Sequence, residues 1–183
     1  MNLFEIIKIS IISLALIFCC YTDIKERKIK NFITFPLMLI GIIFNIIEMQ
    51  SIQGMFFSFK GIIFIFLTCI LVSIVGGFGF GDTKLLMGLA SICGFWCSFD
   101  ILLFSLLSMI LYFVIFKFKY LKDLFINLKL MISNVIYQKT IPKIEKKQSV
   151  WSVPYACFIS VGTFISLLFY YTKGENFIWT ILN

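Results

Sequence analysis

The sequence predicts an all-α integral membrane protein: six transmembrane helices plus a cytoplasmic amphipathic helix, in one membrane domain covering 1–183. Three observations carry that expectation. Apolar residues make up 61% of the chain and charged residues 14%, more Phe, Ile and Leu than the interior of a water-soluble chain this long can hide. Apolar runs recur at close to the roughly 17–25 residues that a spanning helix needs. The basic residues gather between those runs, as the positive-inside rule requires. The formal net charge of +7 is therefore read as membrane orientation, and no nucleic acid is expected as a partner.

The first span is placed at 3–22. Glu5 and Lys8 do not make a basic leader region and no small-residue cleavage site follows, so the segment reads as a retained helix and not a signal peptide. The next spans are 32–49, 56–76, 84–98, 99–117 and 151–172. The fourth is short, and Asp100 marks the division from the fifth; one kinked helix there would leave five spans. Charge favours six. Lys25, Arg27, Lys28 and Lys30 lie in 23–31, and the lysines from Lys117 to Lys147 lie in the later loop. Six spans put both loops on one face with Asp82 and Lys84, whereas five would separate them. That face is the cytoplasmic one, with both termini outside.

Within the cytoplasmic loop 118–150, Leu121, Leu124, Phe125, Leu128, Ile132 and Val135 recur at helical spacing with Lys122, Asp123 and Lys129 between them. This reads as an amphipathic helix on the membrane surface, its lysines among anionic lipid headgroups. It either links two spans or also docks substrate. No internal repeat or low-complexity stretch accompanies it.

The chain has six cysteines and no histidine. The cysteines lie in or beside apolar runs, where a free thiol behaves as a small hydrophobe. Without histidine or a C-x-x-C pair no zinc site is expected, and Ser-His-Asp or Cys-His catalysis is excluded. Hydrolysis must then come from carboxylates or from an arrangement such as Ser-Lys. Of nine acidic residues, Glu5, Glu48, Asp100 and Glu175 fall at outer ends of spans, where they can be hydrated. Glu26, Asp123 and Glu145 lie among lysines. Asp23 and Asp82 remain, both at cytoplasmic ends of spans.

Asp23 follows the C-terminal end of its span, where the helix dipole favours a cation. Its plainer reading is a hydrated carboxylate answered by Lys25 or Arg27. Asp82 lies in Gly76-Gly77-Phe78-Gly79-Phe80-Gly81-Asp82-Thr83-Lys84-Leu85, too glycine-rich for a good helix. Its plainer reading is an N-cap for a span starting near Lys84. A phosphate-binding loop fits less well, since the Lys-Ser/Thr ending is missing. Taken together, two neighbouring carboxylates cannot both ionise cheaply, so one holds a proton while the other activates water, with no metal or organic cofactor needed.

Gly79-Phe80-Gly81-Asp82 fits the G-x-G-D motif of intramembrane aspartic peptidases, and its extension through Lys84 and Leu85 resembles the form found in prepilin peptidases. The run from Thr22 through Asp23, Lys25 and Asn31 resembles that family's first motif, with Lys30 where a proline commonly stands. Val153-Pro154-Tyr155-Ala156 is similar to its late Pro-aromatic-small segment. The resemblance implies Asp23 and Asp82 as the catalytic pair, Gly79 and Gly81 as shapers of the second loop, and Lys25 and Lys84 as supporting basic positions. Pro154 is either a helix-entry residue or a shaper of the active site. The resemblance further implies a pilin-like precursor as substrate, cut at the cytoplasmic face of a bacterial or archaeal cytoplasmic membrane. Pilus or secretion assembly proteins are the partners that go with it. Long members carry an added N-terminal cytoplasmic region linked to methylation, so this chain resembles a short, Tad-type, peptidase-only form without methyltransferase activity.

Two other classes use the same residues. An ion- or proton-coupled transporter or channel subunit also places carboxylates at broken helices, but both aspartates here fall at one face and no inverted repeat is visible. A catalytically silent scaffold would not need both aspartates intact. A presenilin-like enzyme shares the chemistry, and the Lys84 context disfavours it.

Overall fold

Helices are the only regular structure among the described residues of the computed structural model, which are 3–74, 79–116, 154–173 and 180. They are α1 (Leu3–Glu26), α2 (Asn31–Met49), α3 (Gln53–Ile74), α4 (Phe80–Phe116) and α5 (Tyr155–Lys173). All five are long and apolar enough to cross a bilayer. The amphipathic helix expected in 118–150 lies outside the described residues. The chain divides into two compact units, Met1–Ser108 with Pro154–Asn183, and Met109–Val153. The contacts described below belong to the first, which holds α4 as far as Ser108.

The count of five, where six were expected, turns on α4. Its 37 residues would measure about 55 Å as a straight helix against a hydrocarbon core of about 30 Å. The chain breaks at Gly94, with φ 77° and ψ −173°, a region that is essentially reserved for glycine. The sequence reading put the division at Asp100. That placement is corrected: Asp100 is 1% exposed inside the helix, not a hydrated residue at a span end. A β-carbon on Gly94 would lie 2.0 Å from the Phe57 ring, so packing and backbone both require glycine there.

Side-chain partners give the direction of each arm. In the first, Lys84 Nζ donates to Asn31 Oδ1 (3.0 Å) and Ser91 O accepts from Asn45 Nδ2 (2.8 Å), so this arm runs alongside α2 in the same sense. In the second, Cys97 Sγ meets Ser166 Oγ (3.5 Å) and Ser105 Oγ meets Tyr155 Oη (3.0 Å). As this arm advances its α5 partner recedes, and the arm runs back toward the end where Asp23 and Asp82 lie.

Close approach of the helices rests on small residues, as expected where packing and not water exclusion drives association. A β-carbon at Gly41 would fall 2.2 Å from Ser91 Oγ, and one at Gly162 would fall 2.6 Å from the Ser105 amide. At the end away from the aspartates a buried polar cluster ties four segments together. Asn45 is fully buried; it accepts from Lys8 Nζ (2.9 Å) and donates to Ser58 Oγ (2.8 Å) and to Ser91 O. Lys8 also pairs with Glu48. Each polar group here has a partner, which removes the cost of burying it. Large apolar side chains such as Phe18, Leu67 and Phe164 point outward, where lipid can cover them.

Candidate active site

Asp23 lies in the last turn of α1. The helix ends three residues on: Arg27 takes a left-handed conformation (φ 54°) and its N–H donates to Asp23 O at 3.0 Å, an αL-type stop. The Asp23 side chain is buried, at 8% exposure, so the reading of a hydrated interfacial carboxylate is corrected. Its Oδ2 accepts the backbone N–H of Ala156 at 3.0 Å. The carboxylate opposes the dipole of its own helix and meets the favourable, N-terminal end of α5.

Asp82 belongs to the first turn of α4, which begins at Phe80 and not near Lys84. The N-cap alternative is therefore corrected: Gly79 precedes the helix and Asp82 is its third residue. From there the Asp82 carboxylate reaches back, its Oδ2 accepting the Gly79 N–H at 3.3 Å, as the carboxylate of a capping box does. Thr83 completes the turn, its N–H and hydroxyl both donating to Gly79 O at 3.1 and 3.2 Å.

Both motif glycines sit where a side chain would crowd its neighbour. A β-carbon on Gly79 would stand 3.0 Å from Asp82 Oδ2, and one on Gly81 would stand 3.3 Å from Ile29 Cβ in the turn between α1 and α2. The Gly81 contact brings the segment after Asp23 against the segment that carries Asp82. Asp23, in the last turn of α1, and Asp82, in the first turn of α4, therefore lie at the same end of the bundle.

The two lysines fare differently. Lys84 donates to Asn31 Oδ1 and its ammonium stands 5.2 Å from the centre of the Phe35 ring, locking α4 to the start of α2. Lys25 turns back along its own helix to the Tyr21 hydroxyl at 3.4 Å and the Tyr21 ring at 5.6 Å; neither contact reaches a carboxylate. Lys30 holds an extended backbone with φ −79°, a conformation that proline would also adopt.

Sequence reasoning did not assign roles to Asn31, Ala156 or Tyr155. Asn31 was visible as part of the first motif, and its pairing with Lys84 in the second is what the fold adds. Ala156 acts through its backbone N–H, which no residue type announces. Among the described residues no group of three or more His, Cys, Asp or Glu side chains could hold a metal ion.

Two carboxylates brought close together can share one proton, giving a base and an acid in one site. A family model described as the type IV leader peptidase family matches residues 10–116, a stretch containing both aspartates, both motif glycines and both lysines. No curated protein and no solved structure matches the chain. With more than half of its length inside that match, the chain belongs to the type IV leader peptidase family.

Proposed function

We propose that this multi-pass membrane protein is an aspartic endopeptidase that removes the short basic leader of pilin-like precursors, with Asp23 and Asp82 as its catalytic pair. The observation that carries the reading is that the turn after Asp23 packs against the segment that carries Asp82, Ile29 against Gly81. The two aspartates are 59 positions apart in sequence, and each is held by a backbone N–H. Family membership supports a peptidase.

In the proposed reaction the pair carries one proton. The ionised carboxylate takes a proton from a water molecule, whose oxygen attacks the scissile carbonyl carbon. The protonated carboxylate donates to the carbonyl oxygen as the tetrahedral intermediate forms, and protonation of the leaving amine completes cleavage. Counting the two arms of α4 as separate crossings gives six passes. Both aspartates then share the face that carries the lysines of 23–31, which the positive-inside rule assigns to the cytoplasm of a bacterial or archaeal inner membrane, with both termini opposite. A precursor with a basic leader ahead of a hydrophobic helix would present its cleavage site at that depth.

Co-expression with pilin-like precursors encoded in the same genome tests the reading. Leader removal, read as a mass shift in the precursor, is the expected result. Intact precursors beside well-inserted enzyme would overturn it.

A further inference from the structure

Residues 155 and 156 lie beyond the family match, which ends at 116, yet their contacts lead to Asp23 and to the helix that carries Asp82. The α5 helix opens after Pro154, and its first-turn N–H groups have no partner within the helix. Ala156 is fully buried. Its N–H would be an orphaned donor in an apolar setting without Asp23 Oδ2 at 3.0 Å. Tyr155, buried beside it, sends its hydroxyl to Ser105 Oγ at 3.0 Å on the second arm of α4. One dipeptide thus touches the helix that carries Asp23 and the returning arm of the helix that carries Asp82.

We infer that Tyr155 and Ala156 are positioning residues for the aspartate pair. The Ala156 N–H fixes one oxygen of Asp23 and leaves the other for water, and the Tyr155–Ser105 brace holds the α5 entrance against the returning arm of the helix that carries Asp82. The inference rests on the proposed role of the pair. A purely structural role would make the same contacts serve only to fasten α5 to α1. That seam has a second fastening one turn further along, where Cys20 Sγ and Ser160 Oγ are 2.9 Å apart, so loss of one N–H leaves the helices joined.

The test uses the full chain in membranes, with three forms compared with wild type: Tyr155→Phe, Asp23→Ala, and a chain in which the α-hydroxy acid analogue of alanine replaces Ala156, exchanging the N–H for an ester oxygen. On a processed precursor the ester form should lose about tenfold or more in kcat at unchanged KM, the effect of one hydrogen bond to a charged group. Tyr155→Phe should lose severalfold in the same parameter. Wild-type kcat in both forms would overturn the inference while leaving the peptidase reading intact. If wild type processes no precursor the peptidase reading fails instead, and thermal unfolding in detergent then decides the contact itself. The ester should lower the midpoint in the wild-type background and leave it unchanged in Asp23→Ala, while equal loss in both backgrounds would overturn the Ala156–Asp23 link.

Discussion

The Gly79 N–H donates to Asp82 Oδ2 at 3.3 Å, and a β-carbon on Gly79 would sit 3.0 Å from that same oxygen. The first glycine of the motif therefore both holds the carboxylate and leaves room for it. Gly79→Ala is expected to push the Asp82 side chain aside and slow precursor processing by about 10- to 100-fold, the scale on which small misplacements act. The amount of inserted protein should stay level, and processing rate per inserted molecule is the measurement. A wild-type rate would mean that the close approach has no catalytic consequence.

Gly94 makes a prediction about stability at the other end of the bundle. Alanine there would have to adopt φ 77° and place its β-carbon 2.0 Å from Phe57. Strain and overpacking together are expected to cost about 2–4 kcal/mol. Gly94→Ala should show a lower unfolding midpoint in detergent and reduced abundance in the membrane. An unchanged midpoint would mean that α4 tolerates a different turn.

How much of this was legible in the sequence differs by feature. The apolar helices were, because bilayer length acts residue by residue, and so was the placing of Asp23 and Asp82 at helix ends. The break in α4 was not. Asp100 drew attention as a charge in an apolar run, yet it is buried, while the chain turns at Gly94, whose single missing side chain is a weak signal among eleven glycines. The start of α4 was also placed late, since Gly79 and Gly81 argue against helix on propensity. Tertiary packing against Ile29 overrides that weak preference at Gly81. The hold on Asp23 by a backbone N–H more than a hundred residues away has no sequence signature at all.

Lys84 joins the first turns of α4 to the start of α2 through Asn31 and Phe35. Lys84→Ala should lower processing severalfold without abolishing it, since neither contact reaches the reacting groups. Asn31→Ala should act similarly, and the double variant should be less impaired than two independent effects predict. Fully additive losses in that cycle would show that the two residues work separately.

A pair that shares one proton sets the sign of the pH dependence. At low pH both carboxylates are protonated and no base remains; at high pH both are ionised and no acid remains. Processing by wild type is therefore expected to rise and then fall across the pH range, as a bell-shaped profile of kcat/KM. A rate that climbs to a plateau and never falls would argue for a single titrating base.

The central claim is that Asp23 and Asp82 act together on a peptide bond. The most direct measurement is leader removal from a purified precursor by the enzyme reconstituted in liposomes, comparing wild type with Asp23→Asn and Asp82→Asn at equal insertion. Cleavage by wild type and none by either variant is the predicted result. Substantial cleavage by either variant would remove that residue from the pair and contradict the account.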